Sequence, residues 1–390
     1  MGNLMKSLDQ KLADIHANPD SPAFILADAK DADMAFGMAA PGRSPEHADG
    51  GFRSIREYRD QIRANTQQGL VDIMLMSVST NEVLTIRERL FDGSPVTPAV
   101  RANDTTDIHV ARGAMYPKQP SRPFRTAILD HALYGELADG DGERDSQRVV
   151  GSNLGLYSIT FNNDVELDRQ TVEAYRAFRV EAERKGFRHF LEVFDPNAPV
   201  NPIAPDRLGG FINDMIARTL AGVPRAGRPL FLKMVYHGPK YMEELVRYDR
   251  HLVPGVLGGS AGTTHDAFKL LAEAKQHGAR AALFGRKINN AEHQLSFIQF
   301  LRLIADGEIS PEEAVKAYHG VLQGLKLQPQ RKLADDLKLT DQSVSYASGT
   351  TAVPAVSGAG DLPKKPDGAP DFAKMTPAQR LAYHRGRLGM

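Results

Sequence analysis

The sequence predicts an α/β chain folded as a closed (β/α)₈ barrel, with a long insertion after strand 3 and a C-terminal linker plus short helix. Three observations carry that expectation. Short apolar runs alternate with amphipathic stretches of helical period, the pattern of βα units around a parallel sheet. Eight such runs fit within the chain, and its 390 residues hold one barrel of about 250 residues plus extensions. The last two runs end in glycine-rich turns, where many barrels of this kind bind phosphate. A doubly wound open sheet remains the alternative, because closure leaves no local mark.

In chain order the strands are Ala23–Asp28, Val71–Ser77, Val96–Arg101, Leu154–Phe161, His189–Phe194, Leu230–Tyr236, Val253–Leu257 and Ala279–Phe284. Ile108–Arg112 competes with Val96–Arg101 for the third place. Between the strands the helices are clearest at Asp168–Lys185, Gly209–Ala221, Tyr241–Tyr248 and Asp266–His277. Thr263–Asp266 and Ser310–Glu313 read as capping boxes, the second with proline at the first helical position. Ala102–Val150 forms one long connection, basic and proline-rich at first and then acidic; loops of that length are usually functional or interfacial. Residues 1–330 thus form the barrel, 345–370 a Ser/Gly/Ala/Pro-rich linker, and 371–390 a tail in which Thr376–Gln379 opens a short basic helix.

Composition narrows the class. Lys+Arg and Asp+Glu balance at 48 each, so no global field draws the chain to nucleic acid or a membrane. There is no cysteine, which excludes disulfides and thiolate chemistry. No apolar run reaches the roughly 18 residues of a membrane span. Met1–Ser7 has no signal-peptide core, so a cytoplasmic location is expected. The histidines are scattered with no metal-binding spacing, and the dinucleotide and Walker A patterns are absent after a strand.

Lys233 lies inside the apolar run Leu230–Tyr236, sharing a face with Phe231 and Val235. Desolvating an ammonium favours the neutral amine, a nucleophile able to condense with a carbonyl. Glu192 lies one strand earlier at similar depth, where a carboxylate can shuttle protons. The alternative is a structural ion pair, which needs the same proximity. Asp28 ends the first strand on the face of Phe24 and Leu26, as an acid/base or as a loop cap. Asn103, Asp104 and Arg112 follow the third strand and could reach the mouth. Gly259, Ser260, Ala261 and Gly262, with Gly285 and Arg286, supply backbone N–H groups suited to phosphate.

The order Leu191-Glu192, Leu232-Lys233, Ser260-Ala261-Gly262 and Gly285-Arg286 resembles the class I (Schiff-base) aldolase superfamily. It is most similar to the tagatose-bisphosphate and archaeal-type fructose-bisphosphate aldolase branches. The resemblance runs from about Ala23 to Gln323 and is most specific from Leu191 to Lys287. It implies a (β/α)₈ barrel in which Lys233 forms the Schiff base, Glu192 and Asp28 assist, and Gly259–Gly262 with Gly285 and Arg286 hold phosphate. It further implies a metal-independent aldehyde-lyase acting on a phosphorylated sugar, without a cofactor, and a homo-oligomer is expected. Several relatives carry a second lysine on strand four, and Leu154–Phe161 has none. A phosphosugar isomerase or epimerase, or a non-catalytic sugar-phosphate-binding scaffold, would use the same barrel.

Overall fold

Eight parallel strands close into a barrel in the computed structural model, which describes residues 5–18, 20–43, 51–138, 148–259 and 262–340. The strands are β1 (Ile25–Lys30), β2 (Ile73–Met76), β3 (Thr97–Arg101), β4 (Leu154–Thr160), β5 (Arg188–Phe194), β6 (Leu232–Met234), β7 (Gly255–Leu257) and β8 (Ala281–Phe284). Each pairs with its sequence neighbours, and β1 pairs with β8 to close the ring. All eight runs read from the sequence are therefore strands of one barrel, and the open-sheet alternative is set aside. Boundaries move: β1 extends two residues past Asp28, and β6 contracts to three residues. Ile108–Arg112 lies outside the barrel strands, so β3 is Thr97–Arg101.

The main helices are α1 (Ser7–Ala17), α2 (Ile55–Gln68), α3 (Val165–Arg184), α4 (Pro205–Ala221), α5 (Pro239–Tyr248), α6 (Thr264–Gln276), α7 (Gln294–Asp306) and α8 (Pro311–Gly324). Sequence chemistry sets their starts. Ser54, Thr263 and Ser310 each cap a helix whose third residue is acidic and bonds back, satisfying two otherwise orphaned N–H groups per helix. Between β2 and β3 the helical run Val78–Asn81 continues as a π-wound Glu82–Arg87.

The long excursion between β3 and β4 is present. In it Asp104–Thr105 pairs antiparallel with Pro123–Phe124, and a short helix spans Leu129–Tyr134. Its residues 139–147 lie outside the described set. Packing continues past residue 330, where the sequence reading ended the barrel: Asp336 accepts from Thr264 N at 2.8 Å and holds His319 of α8 at 2.9 Å. The chain divides into two units, Met1–Gly349 and Thr350–Met390. The expected linker and tail helix lie outside the described residues. Among the described residues, no helix is long and apolar enough to cross a membrane.

Two apolar layers hold the barrel. The interior is lined by small, branched and aromatic side chains, among them Ala27, Ala29, Leu75, Ala99, Phe190 and Phe231. Phe190 and Phe231 stack with centroids 4.6 Å apart. Leu8, Leu12 and Ile15 of α1 join the same cluster, so α1 plugs the N-terminal end. Outside, Phe24, Leu26 and Met74 pack on Ile62 of α2 and on α6 and α7. Asp72, just before β2, gathers Lys11 of α1 at 2.8 Å, Leu26 N at 2.8 Å and Arg302 of α7 at 3.5 Å.

His189 sits on the outer face of β5 beneath α3, bonded to the Tyr175 hydroxyl at 2.8 Å and edge-on to Phe178. Burial lowers its pKa to about 3, with the Arg179 charge adding to the effect. The unfolded chain binds that proton near pH 6.5 and the folded chain only near 3. The stability held by neutral His189 is thus complete above pH 6.5 and declines as pH falls toward 3. The slope is about 1.4 kcal/mol per pH unit for one proton. Urea midpoints taken from pH 7 to 4 should fall less steeply for His189→Gln than for the parent. Equal slopes would remove His189 as a source of acid sensitivity.

Candidate active site

The barrel register sets three polar side chains abreast. Ser158 of β4 is the Cα partner of Glu192 on β5, and Glu192 is the partner of Lys233 on β6. Because alternation turns Phe190 and Phe231 inward, the residues two positions later, Glu192 and Lys233, also face the interior. They are 0% and 2% exposed. Glu192 Oε1 meets Lys233 Nζ in a direct ion pair. Its other oxygen accepts from Ser158 Oγ at 2.6 Å and faces Arg101 Nη2 at 3.5 Å. The carboxylate is therefore fixed on one side and turned toward the lysine on the other.

Arg101, the last residue of β3, completes the layer. Its Nε donates to Asp31 at 2.5 Å and its Nη1 to Ser158 Oγ at 3.0 Å. Burial opposes its charge, but Asp31, Glu192 and Asp104 outweigh burial and move its pKa further up. Asp31, Arg101, Glu192 and Lys233 thus make a balanced set of two negative and two positive groups. Asn103 locks Ser158 in place, accepting from its N–H at 2.6 Å and donating to its carbonyl at 2.8 Å. Asp104 is buried beside the layer, and burial raises its pKa against the pull of Arg101. Arg112 is exposed, over the ring of Phe52. Toward the mouth, Phe194 and Val235 meet Leu257 and Ile108, the last supplied by the β3–β4 excursion.

Asp28 does not join this layer. The face it shares with Phe24 and Leu26 is the outer one, packed on α2, so its assignment beside Lys233 is corrected. There it accepts from Asn65 of α2 at 2.8 Å and lies 3.6 Å from Lys30, which is equally buried. Burial raises the pKa of Asp28 and lowers that of Lys30, each effect being opposed by the other's charge. The strand-end aspartate on the inner face is Asp31, which continues the alternation of Ala27 and Ala29.

The two glycine turns are adjacent. Lys287 Nζ, after β8, donates to the carbonyls of Gly262 and Thr263, after β7, at 2.8 and 3.0 Å. Gly259 and Gly262 adopt left-handed φ of 58° and 81°. Ser260 and Ala261 lie outside the described residues. Gly285 passes so close to β1 that a Cβ there would stand 2.8 Å from the Ala29 carbonyl. Arg286 lies over the Phe36 ring at 5.8 Å. The first turn of α6 is already served by carboxylates: Thr263 N donates to Asp266 at 2.6 Å and Thr264 N to Asp336.

Arg101, Asp31 and Ser158 are absent from the sequence-based site. Each charged residue follows a small interior residue by two positions (Ala99 before Arg101, Ala29 before Asp31), a pattern that points to the site only once the inward face is known.

No protein-family model matches this sequence, and no curated protein matches it. Among solved structures the barrel is similar to a Schiff-base-forming fructose-1,6-bisphosphate aldolase, at 15% identity and TM-score 0.53 over 76% of this chain and 99% of that one. An archaeal fructose-1,6-bisphosphate aldolase, with its catalytic lysine bound as the substrate carbinolamine, aligns at 15% identity and TM-score 0.53 over 76% and 100%. A fructose-bisphosphate aldolase from Slackia heliotrinireducens DSM 20476 aligns at 12% identity and TM-score 0.53 over 82% and 93%. At such identities the likeness establishes the (β/α)₈ fold.

Proposed function

We propose that this barrel is a class I aldolase that makes or breaks a C–C bond in a phosphorylated sugar through a Schiff base on Lys233. One observation supports it above the others: an interior lysine near the C-terminal end of β6 is paired with a carboxylate fixed from behind by Ser158 and Arg101. Fold likeness to aldolases supports the same reading.

In this mechanism Lys233 passes a proton to Glu192 as the carbonyl arrives, its free amine attacks the carbonyl carbon, and a proton moves from that nitrogen to the oxygen to give the carbinolamine. Glu192 then protonates the carbinolamine hydroxyl, which leaves as water and yields an iminium. The iminium takes up the electron pair of the breaking C–C bond, while Glu192, again a carboxylate, takes the proton of the hydroxyl on the departing carbon and the aldehyde leaves. Protonation of the resulting enamine and addition of water release the second product and restore the amine. Oriented Glu192 thus serves as acid and base in turn. Gly259, Gly262, Gly285 and Arg286 would receive the phosphate, with Ser260 and Ala261 between them in sequence.

The test is reductive trapping. Incubation with dihydroxyacetone phosphate or a ketose phosphate, followed by borohydride, should add the mass of the carbonyl fragment to the peptide carrying Lys233. Chelator-resistant cleavage that leaves no adduct would reject the mechanism.

A further inference from the structure

Outside the barrel interior lies a second buried charge pair that the chemistry above does not use. Asp28 and Lys30 have side chains of 0% exposure, wedged between β1, α2 and the segment following β8. Lys30 Nζ donates to Asn289 Oδ1 and, at 2.8 Å, to Gln294 Oε1. Asn65 joins the group by donating to Asp28 at 2.8 Å and to Gln294 at 3.1 Å. Tyr58 closes it, accepting from Asn289 Nδ2 at 3.4 Å. Burying two charges costs several kcal/mol per ion unless geometry offsets it, and apolar replacements are often as stable. Stability alone therefore does not account for the pair.

What the pair holds is the single turn Arg286–Asn289. That turn begins at Gly285, pressed against the Ala29 carbonyl, and is closed by Asn289 N donating to Gly285 O at 2.9 Å. Its last side chain, Asn289, is the one gripped by Lys30. Its first residue is Arg286. The turn is thus pinned to β1 at both ends, by backbone proximity at Gly285 and by Lys30 at Asn289.

We infer that Lys30, held by Asp28, is a positioning residue that fixes Gly285 and Arg286 for the phosphate of the substrate. This rests on the phosphate-binding part of the proposed function. It gives Asp28 a role through the phosphate end of the substrate rather than at the bond that breaks.

Two paired variants of the full chain test it. Asp28→Asn with Lys30→Met removes both charges together and leaves no donor for Asn289. Asp28→Asn with Lys30→Gln removes the charges but keeps an amide donor. The methionine form should stay folded and raise KM for a phosphorylated substrate by roughly 10- to 100-fold, the scale of losing one hydrogen bond to a charged group. Its kcat should change little, because the phosphate is remote from the reacting bond. Its affinity for inorganic phosphate should fall by a similar factor, and amide exchange over residues 285–290 should accelerate. The glutamine form should recover most of each loss. A methionine form with parental KM, phosphate affinity and exchange would overturn the inference. Faster exchange with unchanged phosphate affinity would overturn it too, since the turn would then not serve the anion. Phosphate affinity is read without turnover. A parent that binds phosphate but forms no imine would therefore reject the aldolase reading, while the positioning role stood or fell on the variants.

Discussion

Replacing Lys233 by methionine will abolish borohydride trapping and lower aldol turnover by on the order of 10⁴- to 10⁶-fold, the loss seen when a covalent nucleophile is removed. Methionine is unbranched and of similar length, so it can lie along the interior beside Phe231 and Val235. The change removes one of the two cations that face Glu192. Its Oε2 keeps the Ser158 hydroxyl at 2.6 Å and Arg101 at 3.5 Å, so the carboxylate stays hydrogen-bonded. Stability should fall by less than the roughly 3–5 kcal/mol that follows when a buried partner is stranded. Circular dichroism and a melting curve establish that the variant is folded. Mass spectrometry after borohydride and single-turnover cleavage then read the chemistry. A folded Lys233→Met protein that still traps carbonyl substrate, or cleaves at a parental rate, would place the nucleophile elsewhere.

Glu192→Gln should slow single-turnover cleavage by about 10²- to 10⁴-fold, the usual worth of a positioned proton shuttle. The amide oxygen can still accept from Lys233, but it cannot take up and return a proton. Removing this carboxylate leaves two cations, Arg101 and Lys233, facing one anion, Asp31. Some loss of melting temperature is therefore expected alongside the kinetic effect, and both must be measured on the same protein. Near-parental turnover with a large fall in melting temperature would show Glu192 to be a counter-ion only. Slow turnover with a trapped imine still forming would place it in proton transfer.

The eight strands were legible because each buried run is short, apolar and bounded by helix caps or glycine turns. Which face of a run points inward was not. In a parallel barrel both faces are buried and both are apolar, so alternation fixes partners but not direction. Asp28 shows the consequence: its companions Phe24 and Leu26 were correctly grouped, yet that group packs on α2. For β5 and β6 the same reasoning placed Glu192 and Lys233 together, and the register makes them direct partners. Arg101 was hidden for a different reason. At a strand end an arginine reads as a solvated charge, and it is buried only because Asp31, just past β1, meets Ser158 of β4 and Glu192 of β5 around it. Local sequence contains no record of that convergence. Residues 331–340 escaped in the same way, since their bonds reach α6 and α8 from across the chain.

The three-way junction at Asp72 has a bearing on how the barrel assembles and comes apart. Neighbouring strands up to β8 can form in sequence order, each closing a modest loop. The β1–β8 seam instead joins Ile25 to Ala281, nearly the full span of the barrel, and closing it has the largest entropic cost. Asp72 ties α1, β1 and α7 across the base of that seam: its bonds to Lys11 and Leu26 N accompany the pairing of β1 with β2, and its contact with Arg302 of α7 forms only when the ring shuts. Interactions made after the folding barrier act mainly on the rate of opening. The junction thus serves as a latch on the native ring. Weakening its contact with Arg302 would shorten the lifetime of the folded barrel.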